Sequence, residues 1–192
     1  MNLSYIFPTP IWQDTLSCDL YSIGTFINST KNSDAGTIIS NINGWQSKSY
    51  SSEELMESPI CQFITILQKK IKVCFEDFGS NKNPAISNLW FNINPPGSCN
   101  SSHIHTDSFL SGVFYVKSPS NCGDIIFERQ PHEQYILGSY IRNSTNISSA
   151  AQWKFTPKPN MLLVFPSWLS HHVGINNSQL TRISISFNIL QI

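Results

Sequence analysis

Charge is scarce in this sequence. Lys, Arg, Asp and Glu together make up 12% of the 192 residues, about half of the usual share of ~25%. The twelve basic side chains cancel the twelve acidic ones, so the formal net charge is zero. Because affinity for nucleic acids depends largely on clustered Lys and Arg, this composition argues against a nucleic-acid partner. Aromatic residues, at 12%, are frequent enough to argue against disorder as well.

Long apolar runs and paired cysteines are also missing. No stretch approaches the ~20 apolar residues of a membrane span, and residues 1–8 lack the basic start and apolar run of a signal peptide. The five cysteines are odd in number and none forms a Cys-x-x-Cys pair, which is typical of free thiols in a reducing compartment. We therefore expect a soluble, cytoplasmic protein with no membrane partner.

The apolar spacing predicts one clear helix, followed by strands. Ser58 suits an N-cap and Pro59 the first helical position, and apolar residues then recur every three or four positions until Gly79. Residues 30–35 are polar and predict a loop. After residue 80 the apolar period falls to two, which is typical of strands. The candidate strands are residues 89–94, 109–117, 124–128, 135–141, 152–155, 161–165 and 182–189.

Short strands that follow N-terminal helical signals predict a mainly β (α+β) fold, either a sandwich or a barrel with helices on one side. The chain shows no internal repeat and no low-complexity linker. We therefore expect a single domain over residues 1–192. Residues 1–80 would form a strand and helical buttress, and residues 81–192 the β core.

Four of the five histidines lie in two short groups, His103-Ile104-His105 and His171-His172. Side chains two residues apart point the same way in an extended strand, so His103, His105 and Asp107 would share a face. Two imidazoles and one carboxylate with three open positions suit a non-haem Fe(II) oxygenase. A histidine from the second group would complete such a set.

Arg182 opens a strictly alternating segment, in which apolar residues such as Ile183 and Ile185 face one way and Arg182 and Ser184 the other. If the polar face points into a barrel, the arginine needs an anion, because burying an unpaired charge is very costly. A dicarboxylate would supply that anion. Arginine offers a planar fork to one carboxylate, and Ser184 can add a hydrogen bond.

Taken together, His-x-Asp, a distal histidine and Arg-x-Ser resemble the Fe(II)/2-oxoglutarate-dependent dioxygenases. More narrowly, the chain resembles a 2-oxoglutarate/Fe(II) oxygenase family of bacteria and their phages, related to the prolyl-hydroxylase-like group. The matching segments run through the whole chain and are residues 7–10, 44–47, 110–116, 165–169 and 182–188.

The resemblance implies a double-stranded β-helix (jelly roll) with N-terminal helices packed on one sheet. It implies Fe(II) bound by His105, Asp107 and His171. 2-Oxoglutarate would chelate the iron and place its far carboxylate on Arg182 and Ser184. Other pocket residues would be Tyr115, Asn92 and Trp90. The expected activity is a dioxygenase that couples oxidative decarboxylation of 2-oxoglutarate to succinate, using O₂, with hydroxylation of a peptidyl or small-molecule substrate.

Two alternatives stay open on the sequence. The narrower family usually carries His-x-His, which makes His103, His105 and His171 the competing ligand set, and strand parity does not decide between them. We favour Asp107 because the facial triad of the wider class uses a carboxylate. For the function, the alternative is a cupin-like jelly roll that binds a metal or ligand without 2-oxoglutarate chemistry, although such a protein would not need Arg182 with Ser184.

Overall fold

Two antiparallel sheets and two long helices make up the body of the protein. We describe residues 1–137 and 145–192 from a computed structural model. The elements are β1 (Trp12–Thr15), α1 (Leu20–Ser33), β2 (Asn41–Ile42), β3 (Trp45–Gln46), α2 (Cys61–Asp77), β4 (Pro84–Asn94), β5 (Cys99–His103), β6 (Leu110–Lys117), β7 (Ile125–Glu128), α3 (Pro131–Leu137), β8 (Gln152–Phe155), β9 (Met161–Pro166), β10 (His171–Val173) and β11 (Arg182–Gln191), with a short 3₁₀ helix at Glu53–Leu55.

The strand order interleaves distant parts of the chain. The six-stranded sheet runs β1-β9-β6-β11-β4-β3, and the five-stranded sheet runs β2-β5-β10-β7-β8. Every neighbouring pair is antiparallel, and β5–β10 and β6–β11 join segments far apart in sequence. This arrangement confirms the predicted mainly β, jelly-roll architecture. No helix in the described part of the chain is both long and apolar enough to cross a membrane.

Both long helices pack on the six-stranded sheet, which confirms the predicted position of the N-terminal helices. The outward face of β11, which includes Ile185 and Phe187, is buried in the same core as Phe63 of α2 and Ile27 of α1. The Phe63 ring stacks on Phe114 of β6 with 4.7 Å between the ring centroids. The sheet therefore has an apolar face, which the helices cover, and a polar face, which is directed toward the second sheet.

We expect Phe63→Ala to lower the free energy of unfolding by ~3–5 kcal/mol, because it leaves a cavity between α2 and the sheet. Phe63 is completely buried. Urea unfolding would measure the loss, with Tyr21→Ala as the control, since Tyr21 is 84% exposed. A change in the control beyond about 0.5 kcal/mol, or none in the Phe63 variant, would contradict this account of the core.

Several local predictions were wrong. The second helix begins at Cys61 rather than after Ser58, because the Cys61 N–H donates to the Ser58 carbonyl at 3.0 Å and closes a tighter turn over residues 58–61. The Ser58 hydroxyl still accepts from the Ile60 N–H at 3.2 Å, as a capping residue does. Residues 30–33 belong to α1 rather than to a loop. The strand predicted over residues 135–141 is wrong for residues 135–137, which are helical, and residues 138–141 lie outside the described residues.

The N-terminal 80 residues also supply strands to both sheets. β1 pairs with β9, β3 with β4, and β2 with β5. They therefore complete sheet edges as well as covering one sheet with helices. The division at residue 80 stays a prediction.

Candidate active site

The polar sides of β4 and β11 face a cavity of about 280 Å³ between the two sheets. The two strands run antiparallel, with Arg182 opposite Asn94 and Ser184 opposite Asn92. Because side chains alternate along a strand, the apolar residues of β11 face the helices, and its polar residues face the cavity. The same cavity is lined by Tyr115 of β6.

Three histidines meet at this cavity. β5 ends at His103 and β10 begins at His171, and the two residues are direct partners across the strands. His105 lies in the loop after β5, where its N–H donates to the Ser167 carbonyl at 2.9 Å. One nitrogen from each of the three rings lies within 4.8 Å of the others, so the three side chains could hold one metal ion.

Hydrogen bonds settle which nitrogen of His103 and His171 is free. The Nδ1 atom of His103 lies 2.7 Å from the Ser101 carbonyl oxygen, and that of His171 lies 2.9 Å from the Leu169 carbonyl oxygen. A carbonyl oxygen only accepts, so Nδ1 carries the proton in both rings. The Nε2 atom therefore keeps its lone pair and is available to a metal.

His105 is oriented by an asparagine from β11. Its Nδ1 lies 2.7 Å from the Asn188 Oδ1 atom, which also accepts from the Ser111 hydroxyl at 2.8 Å. The amide oxygen thus fixes the His105 ring and leaves Nε2 free. Partners of this kind set the tautomer and orientation of metal-binding histidines. The sequence placed Asn188 on the polar face of its strand, but its contact with a loop residue was not predictable from spacing.

The three rings are neutral at pH 7. Burial lowers the pKa of His171 to about 3 and that of His105 to about 4, and it also lowers the pKa of His103. Trp90 stacks on His105 at 5.6 Å between ring centroids, and Phe165 meets His171 edge-on at 4.8 Å. Neutral imidazoles bind a metal without first releasing a proton. Three convergent nitrogen donors therefore suit a first-row divalent ion such as Fe(II).

Asp107 does not join this group. The strand ends at His103, and Asp107 is an exposed turn residue with φ of 59° in the left-handed region. The prediction that residues 103, 105 and 107 share a face assumed an extended chain, and the turn breaks that assumption. The structure thus brings together the alternative set, His103 with His105 and His171, rather than the set that we favoured.

Arg182 lines the same cavity as the histidines and is buried. Its side chain is 2% exposed, and Nη1 donates to the carbonyls of Cys122 and Gly123 at 2.6 and 3.2 Å. Among the described residues, no carboxylate lies within 4 Å of its nitrogens. Ser184 and Tyr115 are buried beside the same cavity. Because an unpaired buried charge is costly, this arrangement favours an anionic ligand.

In this jelly roll, one cavity brings together three histidines that could hold a metal ion and a buried arginine that no carboxylate of the described residues pairs with. Imidazole ligands suit iron among other first-row metals, so the arrangement is compatible with a non-haem iron oxygenase. Residues 88–188, more than half of the chain, match the family model described as "Putative 2OG-Fe(II) oxygenase". The chain therefore belongs to this family. It is an oxidoreductase, and its family uses Fe(II), 2-oxoglutarate and O₂. The match favours this function over the cupin-like alternative.

Solved structures share the fold at low identity. A Pseudomonas putida prolyl-4-hydroxylase aligns with a TM-score of 0.66 at 13% identity, covering 94% of this chain and 92% of that chain. A Trichoplax adhaerens prolyl hydroxylase in complex with a hypoxia inducible factor peptide fragment gives 0.67 at 14%, covering 94% and 83%. The viral collagen prolyl hydroxylase of Paramecium Bursaria Chlorella virus-1, a 2OG complex, gives 0.58 at 14%, covering 93% and 94%. No curated protein matches the sequence.

Proposed function

We propose that the chain is a hydroxylase whose iron is held by the Nε2 atoms of His103, His105 and His171, and whose 2-oxoglutarate is held by Arg182 and Ser184. The observation that carries this proposal is the single cavity of about 280 Å³ that all five residues line. It combines three neutral nitrogen donors at one place with one buried, unpaired cation at another.

The three imidazoles fit the metal that the family uses. Fe(II), when bound with 2-oxoglutarate, supplies the activation of O₂. The histidines add no negative charge to the ion, so its full charge is available to the dianionic co-substrate. Apolar side chains of Val113, Ile125 and Phe165 line part of the same cavity.

Arg182 selects and orients the co-substrate. The carbonyls of Cys122 and Gly123 accept hydrogen bonds from one Nη atom, which fixes the guanidinium beside the cavity. The guanidinium offers a fork to a carboxylate, and the Ser184 hydroxyl adds a donor beside it. A dicarboxylate that binds this pair can extend toward the histidines.

The lining favours an uncharged reacting group on the substrate. Apart from Arg182 and the neutral histidines, no ionisable side chain except the buried phenol of Tyr115 lines the cavity in the described part of the chain. The rest is amide, hydroxyl and apolar, including Ile39 and Ile104, which are 75% and 50% exposed. A charged group would lose its hydration there without gaining a partner. A neutral peptidyl residue or a neutral small molecule therefore fits as the substrate.

The cytoplasmic location stays a prediction.

Anaerobic titration with Fe(II) and then 2-oxoglutarate tests the proposal without a known substrate. We expect a weak visible charge-transfer band that saturates at one equivalent of 2-oxoglutarate. Succinate in place of 2-oxoglutarate is the control, because it has no keto oxygen to chelate the metal. Iron binding with no band on addition of 2-oxoglutarate would instead support a metal-binding jelly roll.

We expect His103→Ala to weaken Fe(II) binding far more than Asp107→Ala. His103 contributes one of the three converging nitrogens, whereas Asp107 is exposed in the turn beyond them. Fe(II) titration of both variants under argon measures the difference. An iron affinity that falls with Asp107→Ala and survives His103→Ala would restore the histidine–carboxylate set that the sequence favoured.

A further inference from the structure

A second polar cluster lies on the outer face of the five-stranded sheet, behind the histidines. Glu128, at the end of β7, accepts hydrogen bonds from the hydroxyls of Ser102 and Ser170 at 2.7 and 2.9 Å. The two hydroxyls are 3.0 Å apart. The other carboxylate oxygen lies 3.1 Å from Nδ1 of His172.

The sheet topology lets this carboxylate link three neighbouring strands. β10 lies between β5 and β7, and the Glu128 N–H donates to the Ser170 carbonyl at 2.9 Å. Ser102 directly precedes His103, and Ser170 directly precedes His171. Neighbouring residues of a strand face opposite sides of the sheet, so Ser102 faces away from the cavity that His103 lines. Ser170 lies just before β10, and its hydroxyl is 3.0 Å from that of Ser102.

The cluster holds an ionised acid in a partly buried place. The Glu128 side chain is 22% exposed, and that of His172 is 26% exposed. Burial opposes ionisation, but the hydrogen bonds from Ser102 and Ser170, together with the nearby His172, outweigh it and lower the pKa of Glu128. Hydrogen bonds to an ionised acceptor are shorter and stronger than neutral ones, so the two serines are held firmly.

We infer that Glu128 is a positioning residue that sets the spacing of His103 and His171 by fixing β5, β7 and β10 from behind. The inference rests on the proposed three-histidine metal site. His103 and His171 are already bonded to the carbonyls of their own segments, which fixes each ring locally. Their separation depends on how β5 pairs with β10, and the Glu128 carboxylate adds a side-chain link across these strands to the backbone pairing. Metal sites lose affinity when the groups that support the ligands are removed.

Cobalt(II), added alone and followed by its visible d–d bands, tests the inference. We expect Glu128→Gln to weaken Co(II) binding by roughly tenfold and to change the band shape, because the ligand spacing relaxes. Ser102→Ala should weaken binding by less, and Ser102→Thr, which keeps the hydroxyl, should restore it. Asp14→Asn is the control. Asp14 lies on β1, which belongs to the other sheet, and its carboxylate pairs with Lys70 at 2.6 Å.

The outcomes separate this inference from the metal site itself. A folded Glu128→Gln protein with wild-type affinity and bands overturns the inference, as does an equal loss in Asp14→Asn. If Glu128→Gln does not fold, the comparison of Ser102→Ala with Ser102→Thr decides, and equal Co(II) affinities overturn it. If the wild type does not bind Co(II), or His171→Ala binds it equally well, the three-histidine site fails first.

Discussion

Replacing His171 with alanine should abolish tight Fe(II) binding. The His171 ring lies 4.4 Å from that of His103 and 5.2 Å from that of His105 between centroids. It is also 4% exposed, so no other ligand can take its place without rearrangement. Since removing a supporting group alone costs ~10–100-fold, losing a ligand should cost more than a hundredfold. His105→Ala should behave in the same way. Anaerobic Fe(II) titration with a competing chelator measures both.

The other two histidines provide matched controls for this experiment. His172 follows His171 directly but points to the outer face, where it lies beside Glu128. His132 is exposed on α3. We expect His132→Ala to leave iron affinity unchanged and His172→Ala to alter it by no more than a few-fold. Iron retained by His171→Ala and lost from His172→Ala would show that the distal ligand is the other histidine.

Alternation in β11 was predictable because both of its faces are constrained. Ile183, Ile185 and Phe187 are buried beneath the helices, while Arg182 and Ser184 line the cavity. A shift of one residue would bury an arginine among apolar side chains, so the sequence allows one register only. Asn92 and Trp90 of β4, which the family resemblance implied as pocket residues, also line the cavity. Strand faces of this kind follow from sequence alone.

The ligand set was not predictable in the same way. Residues two apart share a face only while the chain is extended, and the extended strand β5 ends at His103. The turn that follows contains Asp107 in a left-handed conformation, which aspartate tolerates better than most residues. His105 still reaches the cavity because its N–H is held by the Ser167 carbonyl, a contact between segments that no local pattern encodes.

The first helix was missed for a related reason. α1 is rich in Ser, Thr and Asn, whose intrinsic helix propensity is low. Asp19 caps it by accepting from the N–H groups of Tyr21 and Ser22, both at 3.1 Å. Ile23 and Ile27, which are buried against the sheet, supply the packing. Most helical stability in proteins comes from such tertiary contact, which local sequence does not show.

Arg182→Ala should weaken 2-oxoglutarate binding by about tenfold to a few hundredfold. A charge-assisted hydrogen bond is worth ~1.5–3 kcal/mol, and each ~1.4 kcal/mol corresponds to a factor of ten in affinity. The structure supports this estimate because Arg182 is buried and no carboxylate in the described part of the chain pairs with it. Titration of the Fe(II)-loaded protein, followed by the charge-transfer band, measures the change.

Arg182→Lys and iron affinity distinguish an anchor from a structural residue. Lysine keeps the charge but cannot reproduce the planar fork, so it should recover only part of the lost affinity. Iron affinity measured without 2-oxoglutarate should barely change in either variant, because Arg182 is not one of the converging metal donors. Arg182 also donates hydrogen bonds to the carbonyls of Cys122 and Gly123, so its loss could disturb the fold. A variant that had lost the fold would lose iron binding as well, and iron affinity therefore reports on this possibility. A folded Arg182→Ala protein that binds 2-oxoglutarate as the wild type does would show that the co-substrate carboxylate is held elsewhere.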